Sequence, residues 1–251
     1  MRMTFRLTTA LFAVATAAVT AVALALPAAN GVVLGGPTDS RGEARQIGTY
    51  AWLNSPNYSG LAPLRRVVTP RSIGLGTFHA LDGELVVMGG TAYRVPTSGK
   101  PEQVSLSRRT PFAQTIEFHP VIERRLPAGA QCTNLVQVID DAVGTTLGLV
   151  AVKVRGNFTE LTTRSVPRQE RPWAALADVT TDQTEFDLSG RGAQLVGFRT
   201  GPDLSGAAPV GVHLHGLTSD RRAGGHVLSC TTGRGVRLLL EPDVDLTVVG
   251  R

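Results

Sequence analysis

After Ile47 the apolar positions fall into short runs, separated by turn-forming residues roughly every ten positions. The runs at 115–119 (Thr-Ile-Glu-Phe-His), 148–155 and 236–240 predict β-strands. Helical spacing is rarer. Over Thr133–Val143, Leu135, Val138, Ile139 and Val143 share one face and predict an amphipathic helix; a second helix is predicted around Ser59–Val68. Many strands and few helices give an α+β fold class. The expected organisation is a strand-rich two-domain protein. An N-terminal α/β domain (46–155) carries a mixed β-sheet and an antiparallel β C-terminal domain (156–251) follows, the boundary set by Gly156-Asn157 after a strand.

The first residues follow a different pattern. A basic start with Arg2 and Arg6 precedes an uncharged stretch from Leu7 to Leu26, then small residues at Ala23-Leu24-Ala25 and Pro27-Ala28-Ala29. This order predicts a secretory signal peptide over 1–29 and a flexible Gly/Pro/Ser-rich lead-in over 30–45. A bilayer span is the rival reading, but the stretch is mostly Ala and Thr, with Thr at 8, 9, 16 and 20, a weak composition for a permanent anchor. The mature chain is therefore expected in the periplasm or outside the cell, with no stable membrane anchor after cleavage.

Composition narrows the function. With 251 residues, 42% apolar and 18% charged, the chain can bury a sizeable core and is not disordered. Its 28 Gly show no period, which excludes a collagen-like repeat. The formal charge of +5 falls to +3 once Arg2 and Arg6 leave with the signal. Nearly all the bases are Arg, scattered singly or in pairs such as Arg65-Arg66 and Arg221-Arg222, so no nucleic-acid partner is expected. Two cysteines are too few for a disulfide scaffold or a four-cysteine zinc site. In an oxidising compartment Cys132 and Cys230 can pair; two separate core thiols fit equally well.

One hairpin is predicted in detail. Residues 76–81 meet 84–88 across Asp82-Gly83, a strong two-residue turn signal. In that register Leu81 faces Glu84, and Thr77 lies about 13 Å from Glu84 along a straight ladder. A carboxylate beside a turn is ordinarily solvated surface.

The segment 209–228 carries the most chemistry, with three of the five histidines. On a strand, His213 and His215 point to one face about 6.5 Å apart. The turn-rich residues 219–225 reverse the chain, so that His226 begins a returning strand and can supply a third nitrogen. Three neutral imidazoles with an open position are the ligand set of a catalytic zinc; iron, nickel and copper also accept imidazole. The plainer alternative is a polar strand face with solvated histidines. His79 and His119 lack ligand spacing and are expected to be structural or surface residues. Arg164 or Arg168, in the 162–170 segment, could grip a carboxylate through the guanidinium fork.

Several motifs then add up. Residues 74–86 (GLGTFHALDGELV), Thr110-Pro-Phe-Ala, 163–170 (TRSVPRQE), 196–200 (VGFRT), His213-Leu-His and 223–228 (AGGHVL) resemble, in order and spacing, the alpha-acetolactate decarboxylases. The resemblance spans roughly 47–240. It implies a Zn2+ enzyme that converts (S)-2-acetolactate to (R)-acetoin and CO2, the metal stabilising an enediolate intermediate. It implies a site between two domains and a homodimer. It places the zinc on His213, His215 and His226, and active-site roles on Thr77, Glu84 and Arg164. A further family glutamate near the C-terminus has no match among Glu241, Asp243 and Asp245. The alternatives are a cupin-like metal oxygenase, or an exported protein that binds a metal or carboxylate without catalysis.

Overall fold

The computed structural model describes Val32–Val33 and residues 42–249. The expected signal peptide lies outside the described residues. Among those described, no helix is long and apolar enough to cross a membrane.

The principal strands are β1 (Glu43–Ile47), β2 (Ser72–Thr77), β3 (Glu84–Met88), β4 (Thr91–Val95), β5 (Ala113–Glu117), β6 (Ile122–Arg125), β7 (Leu149–Ser165), β8 (Thr184–Asp187), β9 (Gly192–Thr200), β10 (Gly211–Thr218), β11 (Gly224–Thr232) and β12 (Arg237–Val248). The helices are α1 (Tyr50–Asn54), α2 (Leu135–Val143) and α3 (Leu176–Val179), with short 3-10 turns between elements. The strands join in the order β9-β10-β11-β7-β12-β1-β5-β2-β3-β4. β1 runs parallel to β12 and antiparallel to β5, which makes the sheet mixed. The strand-rich α+β class is therefore the one observed.

β7 organises the C-terminal half. Its first part pairs with β9 and β12, and its second part with β11 and β8. Because β9 also pairs with β10, and β10 with β11, these four strands close on one another. Both faces of β7 are buried at its start, which explains a continuous rather than alternating apolar run. Leu149 and Ala151 face a core shared with Leu75, Val86 and Phe198; Val150, Val152 and Val154 face a second core under α2. β3 is buried for the same reason, with Val86 and Met88 in one cluster and Leu85 and Val87 in another.

The predicted 133–143 helix is α2, preceded by a 3-10 turn at Cys132–Asn134 and stopped by Gly144 in the left-handed conformation. Cys132 and Cys230 form a disulfide that ties this helix start to β11. The two halves share the core that holds both Leu75 and Phe198.

Four expectations are corrected. The Ser59–Val68 helix shrinks to a 3-10 turn at Leu64–Arg66, because Pro63 cannot donate and the Leu61, Leu64 and Arg65 N–H groups bond to carbonyls of residues 106–110. The lead-in expected over 30–45 is paired where it is described: Val32–Val33 run antiparallel to β6, and Glu43–Arg45 already belong to β1, where Ala44 is fully buried. The division at residue 155 falls inside the 17 residues of β7; Gly156, at φ 148°, bends that strand against Val236 without ending it.

The fourth correction is the hairpin. Thr77, not Leu81, stands opposite Glu84. Residues 78–83 form a wider connection with a 3-10 turn at His79–Leu81. Tertiary contacts override the Asp-Gly preference. Phe78 is fully buried, Ala80 N–H donates to the Tyr58 carbonyl, and Asp82 is gripped by arginines. Asp82 accepts from Arg94 at 2.6 Å and from Arg108 at 2.7 Å, with Arg168 at 3.8 Å. Burial opposes ionisation, but the Arg94 and Arg108 guanidinium groups prevail and hold the Asp82 carboxyl below its ordinary value.

A group held down in this way stabilises the fold above the ordinary aspartate pKa of about 3.9, and that contribution is lost as pH falls through the folded-state value. Asp82→Asn is expected to cost about 1–3 kcal/mol at pH 7, discounted for partial solvation. The deficit relative to the parent should shrink below about pH 4. Denaturant unfolding of both proteins at pH 7 and pH 3 measures it, and a deficit unchanged by pH would contradict the clamp.

Candidate active site

The two halves of the sheet face one another across a cavity of about 420 Å³. From the C-terminal half, three adjacent strands contribute one lateral row. His215 on β10 stands opposite His226 on β11, which stands opposite Arg164 on β7. His213 sits two residues before His215 and therefore on the same face. Gly225, at φ 142°, permits the close approach: a Cβ there would lie 2.4 Å from the Arg164 carbonyl. From the N-terminal half, the corrected hairpin brings Thr77 and Glu84 side by side. All six residues line the cavity. The 13 Å separation expected between Thr77 and Glu84 is thus replaced by a direct cross-strand pair.

The three imidazoles converge. His226 Nδ1 lies 3.2 Å from His213 Nε2 and 3.1 Å from His215 Nε2, and the candidate ligand atoms all lie within 4.8 Å of one another. Two nitrogens on one tetrahedral ion with bonds of about 2.0–2.1 Å would stand roughly 3.3 Å apart. His215 Nδ1–H donates to the Leu85 carbonyl at 2.8 Å. A carbonyl can only accept, so this bond fixes the tautomer and leaves the Nε2 lone pair facing the cluster. Burial, reinforced by Arg164, holds His213 down to about 4; burial likewise keeps His215 and His226 well below the ordinary histidine value. The three are neutral at physiological pH, the form that binds a metal. The cluster therefore has the donor set and spacing to hold a metal ion, with the tautomer fixed at His215.

Glu84 is 6% exposed, and burial, opposed by Arg164, pushes its carboxyl up to about 7. Its Oε2 lies 3.6 Å from His215 Nε2. Two acceptors so close repel unless a proton sits on Glu84 or a cation lies between them. Thr77 donates its hydroxyl to the Gly83 carbonyl at 2.9 Å, leaving its oxygen free to accept. Arg164 is anchored through Nη1 to Gln183 Oε1 at 2.8 Å, while its buried Nε has no protein partner.

The remaining wall comes from residues that sequence patterns did not single out. Tyr50, Leu53 and Asn54 from α1, and Leu176 and Ala177 from α3, line the cavity with Leu81, Val166 and Val212. Of Arg164 and Arg168, the latter turns to Asp82, and only Arg164 lines the cavity. Among the described residues, Glu84 supplies the sole carboxylate in the lining; Glu241, Asp243 and Asp245 are not part of it. Glu241 instead accepts the His119 N–H at 2.6 Å. His79 and His119 are exposed and apart from the cluster, as expected.

Residues 45–247 match the family model described as alpha-acetolactate decarboxylase. The chain belongs to the alpha-acetolactate decarboxylase family. A relative from Methanosarcina mazei, named alpha-acetolactate decarboxylase, is 37% identical over 190 residues, covering 76% of this chain and 66% of that protein. The chain thus spans just under two thirds of that relative's length. One of the same name from Raoultella terrigena is 34% identical, covering 76% of this chain and 74% of its own. The crystal structure of alpha-acetolactate decarboxylase from Bacillus subtilis strain 168 superposes with a TM-score of 0.76 at 26% identity, over 82% of this chain and 88% of that one.

Proposed function

We propose that this decarboxylase-family chain converts (S)-2-acetolactate to (R)-acetoin and CO2, with zinc as the metal on His213, His215 and His226. The observation that carries the reading is the convergence of the histidine triad with Thr77, Glu84 and Arg164 on one cavity. Bound zinc supplies Lewis acidity, which stabilises negative charge developing on substrate oxygens.

The residues of the chain supply the rest. The substrate is a 2-hydroxy-2-methyl-3-oxo acid. Its C–CO2 bond breaks, and the electron pair moves onto the neighbouring ketone as an enediolate, so the substrate is its own electron sink. Arg164, fixed by Gln183, places a permanent positive charge beside the substrate carboxylate and then beside the enediolate. Thr77 accepts from a substrate hydroxyl while donating to Gly83. Glu84, buried and raised to about 7, carries a proton that it delivers to one face of the enediolate carbon. Delivery from one side sets the configuration of acetoin. Leu53, Leu81, Val166 and Val212 surround the substrate's methyl groups and keep water from competing for that carbon. The cross-link between Cys132 and Cys230 supports synthesis for an oxidising compartment and hence export.

Arg164→Lys tests the arrangement directly. Lysine keeps the charge but loses the planar fork and the Gln183 anchor. The expected result is a fall of about 10–100-fold in kcat/KM for 2-acetolactate, with metal content unchanged. Unaltered kinetics would remove Arg164 from the reaction.

A further inference from the structure

A second cavity, of about 330 Å³, shares no lining residue with the active site. Its wall is a lateral row of side chains on adjacent strands. Arg237 on β12 stands opposite Arg155 on β7, and Arg155 stands opposite Gln194 on β9. Arg125 on β6 extends the row on the far side of Arg237. Residues directly opposite have Cβ atoms about 4.5–5.5 Å apart, and like charges in that position destabilise a sheet. Three arginines in one row are therefore a feature the fold maintains at a cost.

Only part of that charge is balanced within the chain. Arg237 Nη1 lies 2.7 Å from Glu123 Oε1. Among the described residues, Arg155 has no acidic partner. Lys153 lies two residues along β7; burial, and then the positive charges of Arg155 and Arg221, hold its amine below the ordinary value. Ser219, which directly follows β10, also lines this cavity. Two guanidinium groups, a hydroxyl and an amide thus surround one cleft.

We propose that this cleft binds a phosphate group, either free or as the head of a small phosphomonoester. A tetrahedral dianion accepts several charge-assisted hydrogen bonds, and guanidinium forks match two of its oxygens at a time. Arg155 and Arg237 supply the cations, and Ser219 and Gln194 the neutral donors. Occupation relieves the repulsion along the arginine row, so binding is coupled to fold stability. The inference is independent of the decarboxylation reading, since no residue is common to the two cavities.

The test is titration of the purified protein with inorganic phosphate and, separately, with glycerol 3-phosphate. Ionic strength is held constant with sodium chloride, and binding is followed by calorimetry and thermal unfolding. Saturable binding of one or both is expected, with a rise in Tm. The ligand with the lower Kd tells whether the free anion or the monoester is preferred. Arg155→Gln should weaken binding by about tenfold or more, and Ser219→Ala by less. Circular dichroism establishes that both variants are folded. A Tm that rises without saturation and equally in Arg155→Gln would overturn the site. So would binding to phosphatidylglycerol vesicles when neither small phosphate binds.

Discussion

His226→Ala is expected to lose both bound zinc and acetolactate turnover. His226 Nδ1 lies within 3.2 Å of the facing nitrogens of both other histidines, so it is the common neighbour of the cluster. Its removal leaves two imidazoles, too few for a closed three-ligand site. Zinc content should fall from about one per chain to near zero after dialysis, and kcat/KM by about 10³-fold or more. The fold should survive, because β11 is held by backbone pairing on both sides and by the disulfide at Cys230. Metal analysis alongside initial rates checks this, with circular dichroism as the control. A folded variant that keeps zinc and full activity would show that the metal does not sit on the triad.

Glu84→Gln should separate metal binding from proton transfer. Glutamine preserves size and burial but has no acidic proton at neutral pH. Zinc content should stay at the parental level while kcat falls by about 10²–10⁴-fold, the range typical of losing a positioned acid. The residual product should also lose enantiomeric purity, since the proton would then come from water on either face. Chiral chromatography of the acetoin measures this. Parental kcat with a single enantiomer would assign the proton to another group.

Much of this site was legible in the sequence because strands have a period of two. His213 and His215 had to share a face, and the turn-forming residues 219–225 had to bring His226 back beside them. The Thr77–Glu84 pair was not legible from local chemistry. Asp82-Gly83 carries a strong turn preference, yet the turn is decided by the burial of Phe78 and by Arg94 and Arg108, which reach Asp82 from outside the hairpin connection. The resemblance placed both residues at the site, and the wider connection shows how they come together. The boundary at 155 failed because a glycine that bends a long strand reads like one that ends it. The cavity walls from α1 and α3 stayed hidden because helices of five and four residues leave no helical period.

The most direct measurement is acetoin release from 2-acetolactate by the purified protein, before chelation, after chelation, and after zinc is restored. The expected result is release before chelation, loss on chelation, and recovery with about one zinc per chain. Acetoin formed at the same rate by metal-free protein would contradict it, and so would the absence of acetoin from protein carrying its full complement of zinc.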